Sequence, residues 1–89
     1  MKNLDSLRKK IDEIDSEIVN LFEARLNLAV EIAKFKEENE MPIFQGGREE
    51  EVVQNAVKHL ENKDYSDECS EFIQSIMNIS KKVQEKEMN

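Results

Sequence analysis

One cysteine, one proline and two glycines are the whole supply, in 89 residues, of the side chains that staple, break or swivel a backbone. Cys69 alone cannot form an internal disulfide, and its isolation fits a reducing cytoplasm, the expected location. Pro42, Gly46 and Gly47 lie close together, so the backbone is expected to make its sharpest turn there. Strand-type alternation is too scarce to suggest a sheet. No apolar run reaches spanning length, and no secretory pattern opens the chain. A net charge of -7 with no long basic stripe argues against nonspecific nucleic-acid or anionic-membrane binding. There is no metal-ligand cluster, glycine-rich phosphate loop or nucleophile-base pair, so no metal or cofactor is expected. His59 has no ligand partner at suitable spacing and reads as surface or partly buried. Cys69 lies on an apolar stripe without a histidine partner and reads as a small core residue.

What is present is helical periodicity. Leu4, Ile11, Ile18, Arg25 and Ile32 form one seven-residue series; Leu7, Ile14, Leu21, Leu28 and Phe35 form the other. Only Arg25 breaks the pattern. A guanidinium cannot deprotonate, so on an inward stripe it needs an anion or a wet cavity. Two further amphipathic stripes carry similar intrusions. Val53, Ala56 and Leu60 run back at spacing four onto Glu49, and Ile73 and Met77 run on to Ser80 and Gln84. Such conflicts between pattern and residue are expected at functional sites.

The fold expected is all-α, a single domain over 1–89 with three helices. Helix 1 spans about 4–38, capped by Asn3 or Asp5; Pro42 lies in the loop 39–47; helix 2 spans about 48–60; helix 3, capped by Ser66, spans about 66–86. A helix of roughly 35 residues extends about 50 Å, more than two shorter helices cover. The remainder of its seam calls for a second chain, and oligomerisation is a common remedy for a small core. No second domain, regulatory module or fused enzyme is expected within these residues.

Arg25 and Lys36 are almost three turns apart and project from similar faces about 16 Å along the axis, so long side chains there can hold two ends of one small anion. Arg8 lies about 25 Å from Arg25 along the same helix, so it joins such a site only from an antiparallel partner chain. Each residue also has a plainer explanation. Arg8 with Lys9 and Lys10 makes a solvated basic run, Lys36 snorkels beside Phe35, and Arg25 sets register. Glu49 stabilises a helix start, and Ser80 with Gln84 marks an exposed helix end.

The ordered set nevertheless resembles a known family, the all-helical (type II) chorismate mutases, over essentially the whole chain. The resemblance lies in Leu7-Arg8-Lys9-Lys10-Ile11-Asp12-Glu13-Ile14-Asp15, Leu21-Phe22-Glu23-Ala24-Arg25, Ile32-Ala33-Lys34-Phe35-Lys36 and Arg48-Glu49-Glu50-Glu51-Val52. It implies an intertwined homodimeric helical bundle with the long first helices antiparallel and the active sites shared. It implies Arg25, and Arg8 from the other subunit, on substrate carboxylates, Lys36 on a carboxylate and the ether oxygen, and Gln84 opposing it at that oxygen. Ser80 would border the substrate, and Glu49 would accept the ring hydroxyl with Arg48 as its supporting neighbour. Gln45 stands where the family commonly has Asp, and Gly46-Gly47 replaces a Pro-containing or aliphatic loop.

The implied reaction is the [3,3] rearrangement of chorismate to prephenate in phenylalanine and tyrosine biosynthesis, without acid-base or covalent catalysis. Two rivals remain. An isochorismate pyruvate-lyase resembles the same fold, and a non-catalytic helical dimerisation or adaptor module needs Arg25 only for register.

Overall fold

The computed structural model describes residues 3–42 and 46–88. Three α-helices make up the described chain: α1 (Leu4–Glu38), α2 (Arg48–Lys58) and α3 (Ser66–Glu87), with a short 3-10 turn at Lys63–Tyr65 before α3. Gln45, singled out in the loop, lies outside the described residues, as do Ile43 and Phe44.

Helix α1 starts at Asn3, whose side-chain oxygen accepts the Ser6 amide at 2.8 Å, so Asn3 and not Asp5 is the cap. It stops through two backbone bonds, Glu40 N–H to Glu37 C=O at 3.2 Å and Met41 N–H to Lys36 C=O at 2.8 Å, the Schellman arrangement. That arrangement needs a left-handed residue, and Glu40 takes it at φ 53°. The sequence pointed to the glycines alone. Gly47 does adopt φ 86° as it leads into α2, but the chain is also turned by a residue with a Cβ.

Helix α2 closes at Lys58, before the expected Leu60. Its last amides shift to tighter bonds, His59 N–H to Ala56 C=O and Leu60 N–H to Val57 C=O, both 3.1 Å. The Lys63 ammonium donates to the carbonyls of Val57 and Lys58 at 2.8 and 3.1 Å, placing a cation at the negative end of the helix. Ser66 does not cap α3 as expected. The 3-10 turn runs directly into the helix, and the Ser66 hydroxyl instead donates to Lys63 C=O at 2.7 Å.

Helices α2 and α3 form an antiparallel hairpin whose α3 arm lies along the carboxyl-terminal part of α1. Two cross-links, from Arg25 to Ser80 and from Gln84 to Ala29, tie α3 to α1. The close contact is made by small side chains. Ala29 and Ala33 are buried on α1, Ala33 completely, and Met77 and Ser80 are buried on α3. Phe22, Leu26, Ala29, Ala33 and Lys36 follow at spacings of four and three and mark the covered face.

This is not the heptad seam. Ile11, Leu21 and Leu28 remain 56%, 70% and 58% exposed, and every residue from Asn3 to Leu21 is exposed. The expectation that the heptad points at a core is corrected for the single chain: α1 has two apolar faces, and the chain covers only the lesser one. The molecule measures 58 × 25 × 15 Å. Its radius of gyration is 16.4 Å, against about 12 Å for a compact domain of this length. Among the described residues no helix is long and apolar enough to cross a membrane.

Candidate active site

Where α3 crosses the end of α1 and the start of α2, the three helices enclose an open cavity of about 580 Å³. Arg25, Lys36, Arg48, Glu49, Ser80 and Gln84 all line it. The three helices therefore bring together six of the residues singled out in the sequence. Arg8 is not among them; it is exposed near the far end of α1. Leu28, Ile32, Val52 and Met77 supply apolar walls.

Arg25 is half-buried, and its Nη1 donates to the Ser80 hydroxyl at 3.0 Å. The Ser80 hydroxyl donates its own hydrogen bond to Ile76 C=O at 2.9 Å, which leaves its oxygen free to accept from Arg25. Among the described residues the guanidinium is given a hydroxyl and no carboxylate. A hydroxyl orients a guanidinium without neutralising it, so the charge stays available to an incoming anion.

The Gln84 side chain reaches across to α1 and donates from Nε2 to Ala29 C=O at 2.8 Å. A carbonyl only accepts, so this bond fixes which end of the amide is nitrogen. One N–H is taken, and the second remains for a ligand in the cavity. Lys36 enters from the last turn of α1.

Glu49 sits in the first turn of α2, where the helix dipole favours a carboxylate. Its expected neighbour Arg48, although it also lines the cavity, pairs with Glu51. Two α3 residues that sequence reading missed hold Glu49 instead: Lys81 Nζ at 2.7 Å from Oε2, and Gln74 Nε2 donating to Oε1 at 2.9 Å. These bonds, with Lys81 contributing most, hold the Glu49 carboxyl below the usual carboxylate range. A signal for Lys81 existed, since Ile73, Met77 and Lys81 continue at spacing four. Exposed lysines are so common on helices that this spacing alone does not single Lys81 out.

The cavity thus carries four cations (Arg25, Lys36, Arg48 and Lys81) against two carboxylates, Glu49 and Glu85. The local excess is positive inside a chain of net charge -7. Such a pocket suits a small anion with more than one negative group, and it presents amide and hydroxyl donors to neutral oxygens.

Comparison with known proteins agrees with this chemistry. A family model described as chorismate mutase type II matches residues 7–85. The chain is similar to a bifunctional chorismate mutase/prephenate dehydratase of Aquifex aeolicus (strain VF5), 38% identical over 58 residues, covering 65% of this chain and 16% of that protein. It is also similar to the T-protein of Haemophilus influenzae, 37% identical over 54 residues, covering 61% of this chain and 14% of that protein. The chain therefore matches under a fifth of the length of these curated relatives. No solved structure gives a significant match. With the family match running from Leu7 to Glu85 and taking in every residue that lines the cavity, the chain belongs to the type II chorismate mutases.

Proposed function

We propose that the chain converts chorismate to prephenate by a [3,3] rearrangement, as one step of phenylalanine and tyrosine biosynthesis. The observation that carries this reading is the half-buried Arg25, oriented by a neutral hydroxyl inside a cavity with excess positive charge. The substrate is a dianion, and its reaction needs no acid, base or nucleophile. In the compact conformer the carbon-carbon bond forms as the ether carbon-oxygen bond breaks. Holding that conformer and stabilising charge on the departing oxygen are then the enzyme's tasks.

In this reading the residues lining the cavity take the roles that the family resemblance implies. Arg25 grips one carboxylate with its forked donors, and Lys36 contacts a carboxylate and the ether oxygen. The remaining N–H of Gln84 aims at that oxygen from the opposite side. Glu49 accepts the ring hydroxyl, Ser80 holds Arg25 and borders the substrate, and Arg48 adds positive charge at the cavity rim. Only the strengthening of the bonds to the ether oxygen at the transition state raises the rate.

The second carboxylate is assigned to Arg8 of another copy. The uncovered apolar seam of α1, with Leu4, Leu7, Ile11, Ile14, Ile18 and Leu21 exposed, supports an antiparallel pairing of two first helices. In that arrangement the amino-terminal half of one α1 reaches the other chain's cavity. The cytoplasm is the proposed location.

Incubating the purified chain with chorismate and, separately, with isochorismate, and identifying the products, tests the reading. Prephenate is the expected product. Release of pyruvate from isochorismate would select the lyase, and no turnover of either compound would leave a binding module.

A further inference from the structure

We propose that Lys81 is a positioning residue for this reaction: together with Gln74 it clamps the Glu49 carboxylate from α3 and aims it as an acceptor into the cavity. The inference rests on the reading of Glu49 as the acceptor for the substrate's ring hydroxyl.

Gln74 and Lys81 are seven residues apart, two turns of α3, and so share a face about 10 Å apart along the axis. Glu49 spans the gap from α2, with Oε1 on Gln74 and Oε2 on Lys81. One donor per oxygen fixes the plane of the carboxylate. Each oxygen keeps a second lone pair, so the clamp leaves room for a hydroxyl. Gln74 is itself held, since its Nε2 also donates to Asn78 Oδ1 at 3.1 Å.

Stabilising the fold is the lesser effect of this pair. The Lys81 and Glu49 side chains are 46% and 26% exposed, a setting in which ion pairs contribute little to stability. Orientation and charge state are what the geometry controls. The charged groups sharing the cavity with Glu49 are Arg25 and Lys36 on α1, Arg48 on its own helix, and Lys81 and Glu85 on α3. Glu50 and Glu51 follow it on α2. Removing the Lys81 ammonium takes away the hydrogen bond and the neighbouring charge that do most to hold Glu49 ionised, so its proton affinity rises. In the intact chain the link is fully formed above the ordinary carboxylate value and is lost as pH falls through the lowered one.

The test compares the full chain with Lys81→Met, Lys81→Gln, Lys81→Arg, Glu49→Gln and the Lys81→Met/Glu49→Gln double variant. Steady-state rates on chorismate are measured across pH, and circular dichroism checks the folding of each protein. Lys81→Met and Lys81→Gln are expected to raise KM by about fivefold to tenfold at neutral pH with kcat little changed, because the hydroxyl contact exists in both ground and transition states. Their acid limb moves to higher pH, and Lys81→Arg restores both properties. In the Glu49→Gln background the Lys81→Met change adds no further loss, since its effect runs through Glu49. An unchanged KM and acid limb in an active enzyme overturns this proposal alone, as does an equal loss in both backgrounds. A wild-type chain that leaves chorismate unconverted overturns it together with the functional reading.

Discussion

Arg25 and Gln84 show how a single side chain can be oriented by a partner that makes no demand on its charge. Ser80 gives Arg25 a direction, and Ala29 C=O gives Gln84 one. Replacing Arg25 or Lys36 by Ala is expected to lower kcat/KM on chorismate by a factor of about 100 or more, roughly 3 to 4 kcal/mol, in proteins whose circular dichroism is unchanged. Gln84→Glu has a different signature. A carboxylate there would face the Ala29 carbonyl oxygen, and two acceptors at that distance repel unless the acid keeps its proton. Activity of Gln84→Glu should therefore be low at neutral pH and climb as pH falls; a rate profile that matches the wild type's would remove Gln84 from the ether oxygen. Much of this site was legible in the sequence because Arg25, Glu49, Ser80 and Gln84 each interrupt an apolar stripe. Lys81 and Gln74 were not, because a polar residue at the edge of a stripe looks the same whether it meets water or a carboxylate on another helix.

At the level of the helices, the heptads of α1 and the break at Pro42 were readable, and the ends were less so. Glu40 is the instructive case. Attention falls on Gly46 and Gly47 because glycine tolerates left-handed backbone, yet the stop of α1 is made by a glutamate at φ 53°. Its strain exceeds the extra unfolded-chain entropy that glycine would bring, so Glu40→Gly should stabilise the protein by about 1 kcal/mol in urea unfolding. The opposite holds at the α1-α3 contact. Ala33 is completely buried, so Ala33→Leu must push α3 away, at a cost of about 1 to 3 kcal/mol, and unfolding midpoints will register it. The sequence could not assign this contact to Ala29 and Ala33. Alanine is a weak marker beside the Leu and Ile of the heptads, and of the heptad residues only Arg25, Leu28 and Ile32 line the cavity.

Taken as a whole molecule, the chain is long and thin, and its most apolar stripe faces outward. A second copy laid antiparallel on that stripe would bury it and carry Arg8 to a distant cavity. Light scattering is expected to return twice the 10.4 kDa chain mass, and Ile11→Glu with Ile18→Glu should reduce that mass and the activity together. Mixing inactive Arg8→Ala and Arg25→Ala chains should restore one complete site per mixed pair; persistent inactivity would contradict a shared pocket. The length of α1 alone raised the expectation of a second chain, whereas how little the chain covers of itself emerged only from the structure. An uncovered first helix also makes output a matter of dosage. If each working unit needs two polypeptides, its abundance climbs with the square of synthesis when synthesis is sparse. A cell making few copies would get disproportionately little turnover, and each lone copy would meet proteases with its longest helix bare.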